Sequence, residues 1–211
     1  MQVAAIIPVK RFSNAKTRLG LTQEKTESLC KTMLEEVLST ISQAQKINKT
    51  ILVSNDESAL LIGKRYNTVS IFEENEKGVN AAVSLAEKYL LENGFGASVV
   101  FPQDIPLIQP VDIDSLLAFQ KNTNSLLIVP SRKFDGTNAL LRTPVDIMET
   151  HYDEDSYKIH LSIAKSRGIH NSFVLIHRIM LDVDDRSDIE YVLGNIEKPQ
   201  IGDKLRKILE E

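Results

Sequence analysis

Cysteine and tryptophan are nearly missing from this sequence of 211 residues, which has one cysteine, Cys30, and no tryptophan. A single cysteine excludes an intramolecular disulfide framework and leaves no cysteine-rich zinc site to build. Long apolar runs are missing too, since no window approaches the roughly 18 apolar residues that a membrane span needs. The apolar start of the chain, residues 1–9, is short and has no basic leader. We therefore expect a cytoplasmic protein without a signal peptide or a membrane segment.

Glycine and proline are also scarce, and the chain has no excess of positive charge. The 9 glycines and 7 prolines form no linker, and the sequence has no internal repeat or low-complexity tract. A length of 211 residues with 42% hydrophobic and 26% charged residues is typical of a globular chain with one core. We therefore expect one domain over residues 1–211. The formal net charge of -4 argues against nucleic-acid binding by bulk electrostatics.

Apolar runs with β-branched residues alternate with amphipathic segments along most of the chain. The runs predict strands at 3–9, 50–54, 69–72, 98–101, 126–130 and 138–141. Helical spacing and capping signals predict helices at 22–44, 57–66, 79–92, 114–121 and 156–167. Two later apolar runs, 173–176 and 179–183, are expected to add an antiparallel pair before a helix with a capping box at Ser187 and a last helix near 203–209. This order predicts a three-layer α/β/α fold with a mixed, mostly parallel sheet.

A local cluster of positive charge follows the first predicted strand. Lys10, Arg11, Lys16 and Arg18 fall within nine positions, and no acidic residue precedes Glu24. In open α/β sheets ligands bind beyond the carboxyl ends of the strands, so a basic loop there is well placed for an anion such as a nucleoside triphosphate. The alternative is a solvated basic loop without a ligand.

Acidic residues follow two other predicted strands. Segment 102–107 places Asp104 between two prolines, which stiffen the turn and hold the carboxylate at the edge of the sheet. Asp182 and Asp184 are two apart, a spacing that puts both on one face of a strand. Paired carboxylates with room for water favour Mg²⁺ over zinc. The alternatives are an ordinary turn at Asp104 and a helix cap at Asp185.

Two weaker signals lie elsewhere. Residues 134–139 form a turn into a strand that offers a hydroxyl, an amide and backbone N–H groups to a phosphate or carboxylate, although turn chemistry alone also explains it. Residues 78–82 open a helix and could touch a nucleotide. The sequence has neither a P-loop nor a dinucleotide fingerprint. The four histidines lack metal-ligand spacing and are expected to be structural; they are His151, His160, His170 and His177.

Four segments of the sequence carry a family resemblance: residues 6–19 (IIPVKRFSNAKTRL), 102–107 (PQDIPL), 135–140 (DGTNAL) and 181–185 (LDVDD). In this order, over nearly the whole chain, they resemble the 2-phospho-L-lactate guanylyltransferase family. The resemblance implies the nucleotide-diphospho-sugar transferase fold, with its glycosyltransferase-A-like sheet, and a role in coenzyme F-420 biosynthesis. It also implies GTP and 2-phospho-L-lactate as substrates, Mg²⁺ as cofactor and a homodimer.

The same resemblance implies the residues of the site. The metal ligands would be Asp104, Asp182 and Asp184. The nucleotide-binding residues would be Lys10, Lys16, Arg18, Gly78 and Asn80, and the three basic ones would act with Asp104 in catalysis. The acceptor-binding residues would be Thr137 and Ser156. Members of the family tend to have a glycine three residues before this serine, where this chain has Asp153.

The implied reaction has a simple physical requirement. A phosphate monoester, largely dianionic at neutral pH, attacks the α-phosphorus of GTP in line and expels pyrophosphate, and no general base is needed. Because two anions must meet and a third must leave, Mg²⁺ and the basic loop should supply most of the catalysis. Two alternatives stay open. One is a transferase of the same fold that uses phosphoenolpyruvate, a sugar phosphate or a molybdopterin, and the other is a non-catalytic nucleotide-binding protein.

Overall fold

The computed structural model describes residues 1–152, 155–195 and 197–210, so Asp153 lies outside the described residues. Within them the strands are β1 Val3–Val9, β2 Lys49–Ser54, β3 Val69–Phe72, β4 Ala97–Val100, β5 Ser125–Pro130, β6 Thr137–Thr143 and β7 His170–Phe173. The α-helices are α1 Gln23–Gln43, α2 Glu57–Arg65, α3 Val79–Glu92, α4 Pro110–Ala118, α5 Ser156–Ser166, α6 Arg186–Gly194 and α7 Pro199–Glu210.

The strands form one mixed sheet in the order β3-β2-β1-β4-β6-β5-β7. β3, β2, β1 and β4 are parallel, β6 runs antiparallel to both β4 and β5, and β7 is parallel to β5. Alternate residues of β1 face opposite layers: Ala5 and Ile7 belong to the apolar cluster that includes α1, and Ala4 and Ile6 to the cluster that includes α3. The predicted three-layer α/β/α fold with a mostly parallel sheet is confirmed.

Most element boundaries in the first half agree with the sequence prediction. β1, β3 and α3 have the predicted bounds, and α2 begins after Asp56, whose carboxylate accepts the N–H groups of Ser58 and Ala59. The helix predicted near 114–121 is present, but its bounds are wrong, because α4 begins at Pro110 and ends at Ala118. Proline is favoured in the first turn, where its missing N–H costs nothing, and Gln109 and Asp112 form a capping box there.

The late part of the chain corrects three further predictions. The run 179–183 is not a strand but a turn followed by an irregular segment, and β7 lies at 170–173 instead of 173–176. Ile179, Leu181 and Val183 are buried, so the apolar run reflects a connection packed against the core. The capping box begins at Asp185, not at Ser187, since the Asp185 carboxylate accepts the N–H of Asp188.

The topology brings three chain segments to one edge of the sheet. β1 and β4 are parallel neighbours, so their carboxyl ends lie at the same edge. β6 is antiparallel to β4, and the pairing of Val100 with Leu140 leaves Thr137 beyond the end of β4 at that edge. The basic loop, the turn at 102–107 and the start of β6 therefore meet.

Cys30 is buried in α1, and no helix of the described residues is long and apolar enough to span a bilayer.

Candidate active site

A cavity of about 350 Å³ opens at this edge of the sheet. Its walls come from the end of β1, the basic loop, the turn after β4, the start of α3 and the start of β6. Among the described residues, its charged lining consists of Lys10, Lys16, Arg18, Asp104 and Asp184. Three cations against two carboxylates leave an excess of positive charge, which favours an anionic ligand.

Lys16 is the electrostatic centre of this cavity. Its ammonium contacts a carboxylate oxygen of Asp104 and lies 2.6 Å from Asp184 Oδ1, and the three side chains are 8%, 14% and 50% exposed. Burial alone lowers the pKa of Lys16, but the two carboxylates outweigh it and raise that pKa above its ordinary value. The backbone of Lys16 is left-handed, with φ 54°, between the 3-10 turns Phe12–Asn14 and Thr17–Leu19. This turn directs the ammonium back into the cavity.

The two acidic segments are joined through the backbone. The N–H of Val183 donates to the carbonyl of Asp104 at 3.0 Å, which aligns the turn after β4 with the segment leading to α6. Asp182 accepts a hydrogen bond from Asn138 at 3.1 Å. Burial raises the pKa of Asp182 to about 7, with a further contribution from the charge of Asp104. Asp104 and Asp184 line the cavity, whereas Asp182 lies beside them behind its lining.

The three predicted metal ligands, Asp104, Asp182 and Asp184, are not arranged around a common point as a metal site would be. Among the described residues, no group of three or more His, Cys, Asp or Glu side chains is arranged to hold a metal ion. The carboxylates of Asp104 and Asp184 converge on Lys16 instead. One oxygen of Asp104, Oδ1, is buried without a hydrogen-bond partner among the described residues.

Of the two residues predicted beside the nucleoside, Gly78 lies next to the main cavity and Asn80 lies behind it. Gly78 and Lys10 line a smaller adjoining cavity, together with Glu73. Glu73 is buried, and its carboxylate accepts the N–H of Lys77 at 3.3 Å. Asn80 is outside both linings, and its Oδ1 accepts the backbone N–H of Tyr152 at 2.8 Å. Asn80 thus holds in place a residue that does line the main cavity.

Thr137 and Ser156 meet although they are far apart in sequence. Ser156 Oγ donates to Thr137 Oγ1 at 2.9 Å, and Thr137 Oγ1 lies 3.2 Å from Nδ1 of His160. Nε2 of His160 accepts the backbone N–H of His151 at 2.9 Å. Burial lowers the pKa of His160 to about 3, helped by the charges of His151 and Arg142. Thr137 lines the cavity, and Ser156 and His160 are buried behind it.

Sequence reasoning missed three residues of this region. Glu73 and Tyr152 carry no local signal, because only the packed fold brings them to the cavities. His160 does carry one, since it lies four residues after Ser156 on α5 and therefore on the same helix face. Its partner Thr137 comes from β6, so the spacing alone does not reveal the contact.

The fold is shared by known nucleotidyltransferases. A nucleotidyl transferase from Methanothermobacter thermautotrophicus superposes with a TM-score of 0.65 at 10% identity, over 90% of this chain and 95% of that one. The 4-diphosphocytidyl-2C-methyl-D-erythritol synthase of Anaerococcus prevotii DSM 20548 gives 0.64 at 13% identity, over 97% and 96%. At these identities the likeness concerns the fold, which is that of the nucleotidyltransferases.

The sequence places the chain more narrowly. Residues 3–209 match the family described as "Guanylyl transferase CofC like", and the chain belongs to this family of nucleotidyltransferases. A 2-phospho-L-lactate guanylyltransferase of Methanobrevibacter ruminantium is 32% identical, over 99% of this chain and 91% of the relative. A phosphoenolpyruvate guanylyltransferase of Conexibacter woesei is 31% identical, over 90% and 86%. A 3-phospho-D-glycerate guanylyltransferase of Colwellia psychrerythraea is 29% identical, over 90% of each.

Proposed function

We propose that this protein transfers GMP from GTP to 2-phospho-L-lactate, which gives lactyl-2-diphospho-5'-guanosine and pyrophosphate, a step of coenzyme F-420 biosynthesis. The observation that carries the proposal is the cavity itself. It joins Lys10, Lys16 and Arg18 on one wall to the buried hydroxyl of Thr137 on another, with Asp104 and Asp184 beside them. Such a lining suits two phosphorylated anions that must approach each other.

The basic side chains act mainly through charge. Lys10 and Arg18 are exposed at the mouth of the cavity, where they can meet the triphosphate as it enters. Lys16 is held inside by two carboxylates, which raise its pKa and favour its cationic form. A fixed positive charge lowers the barrier where negative charge develops on the α-phosphate and the leaving pyrophosphate. Gly78 would border the nucleoside at the start of α3, and Asn80 would act there by holding the backbone of Tyr152.

The carboxylates suit Mg²⁺ by their chemistry. Asp104 has a buried oxygen without a hydrogen-bond partner among the described residues, and it already shares a cation with Asp184. Oxygen donors of this kind, with room for water, are those that Mg²⁺ prefers. Asp104, Asp182 and Asp184 would hold the ion. When bound, Mg²⁺ would neutralise phosphate charge and orient the triphosphate.

The acceptor would lie against Thr137, with Ser156 supporting that hydroxyl from behind. 2-Phospho-L-lactate carries its phosphate on the carbon next to its carboxylate, so one short site can hold both charged groups. Phosphoenolpyruvate has the same two groups on a planar carbon and is the strongest rival acceptor, because relatives named for it match this chain about equally well.

An acceptor panel tests the proposal. Purified protein with GTP and Mg²⁺ is given 2-phospho-L-lactate, phosphoenolpyruvate, 3-phospho-D-glycerate, glucose 1-phosphate or no acceptor, and pyrophosphate release is followed with mass analysis of the product. We expect the highest kcat/KM with 2-phospho-L-lactate, and less than a tenth of it with ATP as donor. A higher kcat/KM with another acceptor would reassign the substrate, and no release with any of them would favour the non-catalytic alternative. Analytical ultracentrifugation of the same sample measures the mass of the particle in solution. We expect the mass of two chains, and the mass of one chain would refute the homodimer.

A further inference from the structure

A continuous chain of hydrogen bonds runs behind the part of the cavity lining formed by Thr137, which we call the acceptor wall. It passes from Ser156 through Thr137 to the imidazole of His160 and ends on the backbone N–H of His151. The side chains of Ser156, Thr137 and His160 are buried, and only Thr137 reaches the lining of the cavity. Both ring nitrogens of His160 have a partner in this chain of hydrogen bonds.

The far end of the chain fixes the tautomer of His160. The backbone N–H of His151 can only donate, so Nε2 of His160 must accept and carries no hydrogen. The ring is neutral, because its burial and the nearby charges hold its pKa at about 3. A neutral imidazole without a hydrogen on Nε2 carries it on Nδ1. Nδ1 therefore donates to Thr137 Oγ1.

This assignment decides what the two hydroxyls can offer to the cavity. Thr137 and Ser156 have two O–H hydrogens between them, and their mutual hydrogen bond uses one. Because His160 donates to Thr137, the other hydrogen stays available. In the opposite tautomer Nδ1 would accept, and the same two hydrogen bonds would consume both hydrogens. The cavity would then meet only oxygen lone pairs, which repel an anion.

We infer that His160 is a positioning residue whose tautomer, fixed by the backbone amide of His151, turns the Thr137–Ser156 pair into a hydrogen-bond donor for an anionic oxygen of the acceptor. The inference rests on the proposed function and deepens it. It assigns to this end of the cavity a donor that selects for a phosphate or carboxylate oxygen, and it gives His160 no contact with the acceptor itself.

Two substitutions separate the two ring nitrogens. In His160→Asn the side-chain amide nitrogen takes the place of Nδ1 and can still donate to Thr137, whereas the acceptor for His151 is lost. In His160→Gln the amide group takes the place of Nε2, and nothing remains to donate to Thr137. We expect His160→Gln to raise the KM for 2-phospho-L-lactate about tenfold with the KM for GTP unchanged, and His160→Asn to raise it clearly less.

Controls distinguish this role from a structural one. His170→Gln changes an exposed histidine on β7 and should keep both KM values. In the double variant Thr137→Val with His160→Gln, the second change should add little, because its effect passes through the threonine hydroxyl. Equal losses in His160→Asn and His160→Gln, a parallel loss of GTP affinity, or additive effects in the double variant would each overturn the inference. Thermal unfolding of every variant checks that it folds.

The tautomer can also be observed without turnover. Nitrogen-15 NMR of protein labelled in its histidines separates protonated from unprotonated ring nitrogens, and the signals of His160 are identified by their loss in His160→Gln. We expect an Nδ1–H, neutral ring at pH 6 to 8. An Nε2–H or charged ring in an active enzyme would overturn the inference and leave the proposed function intact. An Nδ1–H ring in a protein that uses no acceptor would overturn the proposed function and, with it, the role of the pair toward an acceptor.

Discussion

Replacing Lys16 by methionine removes the charge at the centre of the cavity while keeping much of the side-chain volume. In the structure this ammonium is nearly buried and is shared by Asp104, which is also largely buried, and by the half-exposed Asp184. The variant therefore leaves one carboxylate unpaired in a place with little access to water. The other can turn to solvent.

The magnitudes follow from these exposures. Breaking a buried ion pair by removing one partner costs ~3–5 kcal/mol, and an exposed pair is worth ~1 kcal/mol or less. Because only Asp104 is well buried, we expect a loss of about 2–4 kcal/mol in the free energy of unfolding without Mg²⁺. The loss of a fixed charge near the reacting phosphates should lower kcat/KM for GTP by about 10²–10³-fold, or ~3–4 kcal/mol of transition-state stabilisation.

Pyrophosphate release and thermal unfolding measure the two effects. Added Mg²⁺ should raise the Tm of Lys16→Met more than that of the unchanged protein, because the freed carboxylates can take up the ion. Lys198→Met is a matched control, since that lysine pairs with Glu36 at 2.9 Å and is not in the lining of the cavity. It should lose stability and keep kcat/KM. A Lys16→Met enzyme within about threefold of normal kcat/KM would refute the electrostatic role of this side chain.

Three further predictions concern the acids, the acceptor wall and pH. Asp104→Asn and Asp184→Asn should abolish turnover without unfolding the protein, and near-normal pyrophosphate release at limiting Mg²⁺ would refute the metal assignment. Thr137→Val should lower kcat/KM for the acceptor by ~1–3 kcal/mol with GTP binding kept, and calorimetric loss of GTP binding would move this turn to the nucleotide site. The folded pKa of His160 is about 3 against an ordinary 6.5, so the unfolded chain binds the extra proton between these values. The free energy of unfolding should therefore fall as pH drops from 6.5 towards 3, by up to ~1.4 kcal/mol per pH unit from this group. When that free energy is measured by urea unfolding at several pH values, its dependence on pH should be weaker in His160→Gln. Equal slopes would contradict the assigned pKa.

The parts of the fold that depend on local signals could be predicted from the sequence. Alternating apolar runs and amphipathic helices define the order of strands and helices, and caps such as Asp56 fix where helices begin. The run 179–183 has the apolar pattern of a strand because burial of a connecting segment produces the same pattern, so the sequence alone does not distinguish the two. The start of α6 differs from the prediction because two acids, Asp185 and Asp188, form the capping box in place of a box that begins at Ser187.

The candidate site was predictable in its ingredients but not in its contacts. The cluster of cations after β1 and the acid after β4 are visible in the sequence, and the structure brings them to one cavity. The position of Lys16 between two carboxylates is not visible, because it depends on a left-handed turn and on chain segments 88 and 168 residues away. The hydrogen-bond chain through His160 likewise needs the packing of α5 against β6.

The reversed direction of β6 has a consequence for how such a protein can diverge. One wall of the cavity comes from the ends of the parallel strands β1 and β4, and another from the amino end of β6, with the first turn of α5 buried behind it. Substitutions in those two short segments can reshape the acceptor wall while every parallel strand, with its register and its loops, stays as it is. Under the proposed function, the choice of small phosphorylated acid would therefore depend on other segments than the handling of the nucleotide, and substitutions could change one and keep the other.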